Sequence, residues 1–367
     1  MPISVWNYLV ELDAERDDIL AAVEKVLNSG SLILGDSVRG FEQAFAQYCG
    51  VAHGVGVGNG TDAIFLALKA LDVNAGDEVI TVANTAVPTV SAIVAAGAVP
   101  VFVDILPDTY LMDVSAIEAA ITARTRVIMP VHLYGQCVDM HAVIGVARRH
   151  GLRVVEDCAQ AHGAEQNGRR AGAFGDLATF SFYPTKPLGG FGDGGMVITG
   201  DAQLCDRLRR LRFYGMEDKY VAVEHGYNSR LDELQAEILL RKLSRLDGYI
   251  ERRNELASGY EVGLQGGGIL PPVLAAGNRH VYYVYTARHA RRDDILEQMK
   301  QKDIHLGVSY RWPIHTMPAY TALGYVPGDL PETERAADEI FSLPMYPSLT
   351  DQQQAVVLDA LQACVGD

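Results

Sequence analysis

Ser181-Phe-Tyr-Pro-Thr-Lys186-Pro-Leu-Gly-Gly-Phe-Gly-Asp-Gly-Gly195 sets one lysine between a strand-like apolar run, Leu177 to Phe182, and a loop with five glycines in seven residues. Gly189, Gly190, Gly192, Gly194 and Gly195 accept backbone angles closed to other residues and let a ligand approach the main chain closely. A lysine that must form a Schiff base needs such a setting: a fixed stem, a cavity and a lowered pKa. A solvated lysine on a glycine-rich turn needs none of these, and from this segment alone both readings stand.

Upstream, Arg153-Val-Val-Glu-Asp157 reads as a short buried strand ending in a carboxylate, followed by Cys158-Ala-Gln160-Ala-His162-Gly163. An aspartate at a strand's C-terminal end suits a pyridoxal phosphate (PLP) site, where its charge keeps the pyridine nitrogen protonated and the ring an electron sink. Gln160 is placed to hydrogen-bond the ring hydroxyl or to stack on the ring. The plain alternative is that Asp157 caps the next turn. Further back, His53-Gly-Val-Gly-Val-Gly58 leads into Asn59-Gly60-Thr61-Asp62 and a helical pattern with Ile64, Phe65, Leu68 and Leu71. Gly60 and Thr61 at a helix N-terminus offer free N–H groups and the positive dipole end to an anion, while Thr61 or Asp62 serves equally as an ordinary N-cap. The glycine spacing never gives G-x-G-x-x-G, so this is no dinucleotide fingerprint.

Phosphate loop, strand-end aspartate and lysine in this order resemble the fold-type I PLP enzymes, and specifically the nucleotide-sugar aminotransferases of the DegT family. The likeness runs over nearly the whole chain, through Ile33-Leu-Gly35, Tyr48-Cys-Gly50, Gly60-Thr-Asp-Ala63, Gly76-Asp-Glu-Val79, Glu156-Asp-Cys-Ala-Gln160, Gly226-Tyr-Asn-Ser-Arg230, Pro313-Ile-His315 and Ser342-Leu-Pro344. It implies PLP as cofactor, Lys186 as the Schiff-base lysine and general base, Asp157 at the pyridinium and Gln160 by the ring hydroxyl. Ser181 joins Gly60 and Thr61 around the phosphate. Asn228 matches an Asn-x-Arg that reaches the phosphate of the neighbouring subunit, so a homodimer with shared active sites is expected. For the sugar nucleotide, Lys219, Tyr220, Arg230 and Arg311 are candidates to meet the pyrophosphate, and His315 to face the sugar or to sit satisfied in the core.

The match departs from the family pattern in places. Ala86 stands where relatives often stack an aromatic on the ring, and Tyr283 and Ser309 where many have histidine. Members that have become dehydratases replace the lysine with histidine; here it is Lys186. The resemblance therefore implies an aminotransferase acting on a nucleotide-linked keto-sugar, with L-glutamate as donor. The Gly192-Asp-Gly-Gly195 ending resembles members that aminate C-3 of a dTDP- or UDP-linked deoxysugar. The alternatives are a 4-keto aminotransferase, a PLP-dependent sugar dehydratase and a non-catalytic regulator on the same fold.

Composition sets outer bounds. A chain of 367 residues suggests a large and a smaller domain, divided here as 1–245 and 246–367. A net charge of −15 argues against nucleic acid as partner. Five scattered cysteines without a C-x-x-C pair suggest a reducing cytoplasm and no metal site. The N-terminus shows no signal pattern, and no charge-free apolar run reaches membrane-spanning length.

Along the chain, helical spacing predicts helices over 13–28 and 36–48. Strands are expected over 78–82, 99–103, 126–131 and 153–155, separated by helices near 85–96, 114–121 and 140–150. Such alternation implies an α/β fold with a mainly parallel central sheet covered by helices on both faces. A strand over 195–199, a helix over 202–212 and one long helix from 230 to about 260 follow. A smaller α/β portion then has a strand over 281–288, a helix over 292–302 and a strand over 304–308.

Overall fold

The computed structural model describes residues 2–218 and 220–365. Its centre is a seven-stranded sheet built from β1 (His53–Val57), β2 (Glu78–Val82), β3 (Val99–Val103), β4 (Thr125–Ile128), β5 (Arg153–Asp157), β6 (Leu177–Ser181) and β7 (Gly195–Thr199). The spatial order is β1-β7-β6-β5-β4-β2-β3. Every pair is parallel except those of β7, which runs antiparallel to both β1 and β6.

Side-chain alternation explains why the sheet is buried on both faces. Val127, Val155, Leu177 and Val197 point into one core with Ile64 and Leu68 of α3 (Gly60–Ala70). Their neighbours Ala178, Phe180, Met196 and Ile198 face Phe41 and Phe45 of α2 (Asp36–Cys49) and Leu239 of α7 (Glu233–Leu243). A parallel sheet covered twice needs apolar residues at both parities, which is why these strands read as continuous apolar runs. Helices α4 (Val87–Ala95) and α5 (Met140–His150) are crossover elements between parallel strands.

Element positions follow the sequence reading with informative differences. Helix α1 spans Tyr8–Ser29 and so begins before Asp13, because the Asn7 side chain caps it by accepting from Leu9 N–H; Gly30 ends it in the left-handed region at φ 72°. The 114–121 stretch is a 3₁₀ turn, Val114–Ala116, followed by a single helical turn, Ile117–Ala120. The long helix expected from residue 230 breaks after Leu243, and α8 (Leu246–Gly263) continues it. The 281–288 strand forms only over Tyr285–Arg288 (β8), and 304–308 only over Ile304–His305.

Beyond the break the cores change hands. Leu246 and Ile250 at the start of α8 belong to the core under α2. Leu256 and Tyr260 in its second half join Tyr285, Phe341 and Leu361 of the C-terminal layer. That layer holds β8 paired antiparallel with β9 (Ile340–Leu343), α9 (Arg292–Gln301) and α11 (Asp351–Val365). We propose the division 1–245 and 246–367 at the break. The start of the chain crosses it, since Ile3 pairs with Ile304.

Candidate active site

Three chain segments end on one side of the sheet, beyond the carboxyl ends of its parallel strands, where open α/β sheets place their ligands. The β1–α3 turn brings Asn59, Gly60 and Thr61; β5 ends at Asp157; β6 ends at Ser181 and leads into Lys186. Together Gly60, Thr61, Asp157, Gln160, Ser181 and Lys186 line a cavity of about 570 Å³.

The α3 end is built to receive an anion. Asn59, not Thr61 or Asp62, is the N-cap: its side chain accepts from Asp62 N–H. Thr61 is thereby moved into the first turn. Among the described residues the N–H groups of Gly60 and Thr61 donate to nothing, so two helix-end donors and the dipole's positive end face the cavity. Gly60 is required by contact, since a Cβ there would lie 2.7 Å from the Ser181 Cβ. Ser229 braces the turn, accepting from Gly58 N–H at 2.9 Å and donating to Asp62 at 2.6 Å.

Asp157 is 3% exposed. Burial pushes its carboxyl above the usual carboxylate range; the Ala159 N–H, the Thr89 hydroxyl, Lys186 and His132 pull the other way. Thr89 Oγ1 donates to one oxygen at 2.8 Å and Ala159 N–H to the other at 3.1 Å. The preceding residue, Glu156, is locked: it accepts from the N–H groups of Gly172, Phe174 and Gly175 and pairs with His132 Nε2 at 2.9 Å. His132, Glu156 and Cys158 have donor atoms within 4.8 Å of one another. Because N–H groups already fill the Glu156 oxygens, the His132–Glu156 pair is a hydrogen-bonded brace for the strand end, with the buried Cys158 thiol beside it.

The Gln160 amide is clamped. Its oxygen accepts from Tyr134 N–H at 2.8 Å and its nitrogen donates to the Tyr310 hydroxyl at 2.9 Å, leaving one N–H hydrogen for a ligand. Lys186 begins from a tight turn, its N–H donating to Tyr183 C=O at 2.9 Å. Its Nζ lies 4.7 Å from the centroid of the Tyr283 ring, whose hydroxyl meets Thr185 at 3.0 Å. Phe182 N–H to Gly194 C=O and Gly190 N–H to Phe182 C=O, both 2.8 Å, close the glycine loop behind it.

The remaining sequence candidates lie elsewhere in this single chain. His315 does not face the cavity: it is fully buried, with Nε2 3.1 Å from Glu334. Arg311 pairs with Asp293 at 3.0 Å on the rim of a separate cavity. The Arg230 guanidinium sits 5.2 Å from the Phe213 ring centroid. Tyr220 is 93% exposed, and Asn228 is exposed beside Phe213. Lys219 lies outside the described residues. The sequence reading missed Thr89, Thr85, Tyr183 and Tyr310. For Thr89 a signal existed: Pro88 in the first turn of α4 places the next residue over the strand ends.

The fold and cavity define a PLP-dependent aminotransferase of fold-type I. The model of the DegT/DnrJ/EryC1/StrS aminotransferase family matches residues 13–362, and the chain belongs to that family. It is 55% identical over its whole length to the dTDP-3-amino-3,4,6-trideoxy-α-D-glucose transaminase of Micromonospora megalomicea subsp. nigra, covering 99% of it. The structure of DesV from Streptomyces venezuelae in complex with a ketimine intermediate superposes with a TM-score of 0.98 at 43% identity, covering 100% of this chain and 99% of that one. NtdA from Bacillus subtilis with bound PMP superposes at 0.90 and 33% identity, covering 96% and 82%.

The cofactor is pyridoxal 5′-phosphate, and the residues present fit it. Gly60, Thr61 and Ser181 supply neutral donors where a phosphate needs them. The Asp157 carboxyl, raised by burial, suits a protonated ring nitrogen, whose charge would favour the ionised form. No described helix is long and apolar enough to cross a membrane.

Proposed function

We propose that this aminotransferase converts a 3-keto deoxysugar linked to dTDP or UDP into the 3-amino sugar, taking the amino group from L-glutamate, as a cytoplasmic homodimer with shared active sites. What carries the reading is the meeting of Lys186 and Asp157 at one cavity beside the N–H groups of Gly60 and Thr61, which have no partner among the described residues. When bound, PLP supplies the electron sink that makes a proton beside the amine removable.

The chain's own residues then have separate tasks. Asp157 holds the charge opposite the ring nitrogen, and Thr89 keeps that carboxylate oriented. Lys186 anchors the cofactor and, freed, carries the proton between the exchanging carbons. Gly60, Thr61 and Ser181 hold the phosphate. Ala86, a small residue on the cavity wall, leaves room over the ring. The C-3 position is supported by the name of the Micromonospora relative, the dimer by the exposure of Asn228, and the cytoplasm by five buried free cysteines.

A panel of 3-keto and 4-keto nucleotide sugars with glutamate, read by mass spectrometry, tests this, with Lys186→Ala as blank. The expected products are a 3-aminosugar and 2-oxoglutarate. Amination of 4-keto substrates alone refutes the regiochemistry. A dehydrated sugar without keto acid refutes transamination.

A further inference from the structure

Among the described residues the Lys186 ammonium makes no hydrogen bond and no ion pair; what it meets is the face of Tyr283, whose ring centroid is 4.7 Å from Nζ. Three carboxylates line the same cavity without taking the charge. Asp157, which feels it, already receives the Thr89 hydroxyl and the Ala159 N–H. Asp62 accepts from Ser229, and Asp193 is exposed.

The ring is held from three sides. Tyr283 N–H donates to Tyr134 C=O at 3.0 Å, and Tyr134 N–H in turn clamps Gln160. The Tyr283 carbonyl accepts from the buried Arg253 guanidinium at 3.4 Å. Its hydroxyl meets that of Thr185, one residue before Lys186, at 3.0 Å. Tyr283 lies beyond the helix break, so the C-terminal part of the chain supplies this face to a lysine carried on the end of β6.

We propose that Tyr283 is a positioning residue for Lys186, its ring face holding the ammonium by a cation–π contact whenever the lysine is not bonded to the cofactor. The inference rests on the reading of Lys186 as the Schiff-base lysine. A carboxylate would fix the proton on the lysine through a charge-assisted hydrogen bond, whereas a ring attracts the charge by its quadrupole and leaves the N–H groups uncommitted. The ammonium is kept in the cavity while its proton can still be passed on, as a group that serves as base and then as acid requires. Asp157 meanwhile remains available to the ring nitrogen.

Loaded with pyridoxamine phosphate, the enzyme keeps a cofactor and leaves Lys186 unbonded; loaded with PLP, it gives the protected reference. Trinitrobenzenesulfonate at one fixed, neutral pH reacts with neutral amines, and mass spectrometry of the peptide bearing Lys186 gives the rate. Tyr283→Phe, followed by mono-, di- and trifluorinated phenylalanine at the same position, drains charge from the ring face and keeps its shape. A weaker hold leaves a larger share of the amine neutral. Labelling of the pyridoxamine phosphate form is expected to quicken stepwise along the series, by about 2- to 30-fold in all, the range of a cation–π contact. Tyr283→Phe itself stays near wild type, and Tyr283→Leu labels at least as fast as the trifluorinated ring. If the leucine variant fails to fold, the isosteric series still decides.

A flat series overturns the proposal. So does Tyr283→Phe labelling as fast as Tyr283→Leu, because the hydroxyl on Thr185 then carries the effect. Protection of Lys186 by PLP together with a flat series sinks the role of the ring alone. Equal labelling with PLP and with pyridoxamine phosphate bound sinks the Schiff-base reading and this inference with it.

Discussion

Thr89→Val isolates the hydroxyl that holds Asp157. Thr89 Oγ1 and Thr85 Oγ1 are 2.9 Å apart, and Thr89 spends its single proton on the Asp157 carboxylate at 2.8 Å. Thr85 is therefore the donor to Thr89, and the three groups form a chain that ends on the carboxylate. Valine keeps the shape of this fully packed position but not the hydroxyl, so no cavity opens while the chain loses its middle member. A hydrogen bond to a charged group contributes about 1.5–3 kcal/mol. Losing it raises an Asp157 already pushed up by burial, so less of the carboxylate is charged and less of it answers a protonated ring nitrogen. PLP affinity is expected to fall on the order of 10- to 100-fold if the whole loss appears in the bound state. Equilibrium dialysis against PLP, with melting temperature as the check on folding, measures this, and Thr89→Ser is expected to restore it. A folded Thr89→Val enzyme with wild-type PLP affinity and kcat would refute the reasoning.

Three further outcomes are expected. Asp157→Asn retains PLP but loses on the order of 10²–10³ in kcat, because an amide cannot hold the ring nitrogen's charge; near-normal turnover reduces Asp157 to a turn residue. Burial holds His162 and His280 neutral, each pushed down from 6.5 to about 3, so the unfolded chain binds more protons between those values. Stability is then level above pH 6.5 and falls as pH drops towards 3. His162→Gln should show a shallower fall in Tm from about pH 7 to about pH 4.5 than wild type, and identical slopes would count against the assignment. Co-refolding Asn228→Ala with Lys186→Ala should return about a quarter to a half of wild-type activity per mixed dimer if Asn228 serves the neighbour's phosphate. Mixed dimers without activity would place Asn228 in its own subunit's site.

The central sheet was legible because its strands are apolar on both faces and punctuated by glycine, proline and charge. Glu78–Val82, Val99–Val103 and Gly195–Thr199 fall where the pattern put them. The break at Ser244 and Arg245 was not legible, since Leu243 and Leu246 keep the helical spacing across it and no glycine or proline marks the turn. The site's backbone, Gly60 to Thr61, Asp157 and Lys186, is local in sequence and could be read there. Its braces are not: Thr89, Tyr134 and Tyr310 act on Asp157 and Gln160 across 68, 26 and 150 positions. His315 illustrates the other limit. Its neighbours Pro313 and Ile314 resemble a site motif, yet whether it meets a ligand or Glu334 depends on α10 (Pro331–Glu339), which arrives later in the chain.

The antiparallel strand β7 also governs when the site comes into being during synthesis. The cradle turn after β1 is made early, but β1 reaches the rest of the sheet only through β7, with Val57 paired to Gly195 and His53 to Thr199. Until that strand has left the ribosome, Gly60 has no sheet to hold it against Ser181, and the wall behind Lys186 is missing. A nascent chain that ends short of Thr199 thus carries Gly60, Thr61 and Ser181 without the strand that joins them in one sheet. Pairings this distant form late, which makes cofactor capture a marker of a finished sheet and leaves the exposed β1 edge in need of protection until then.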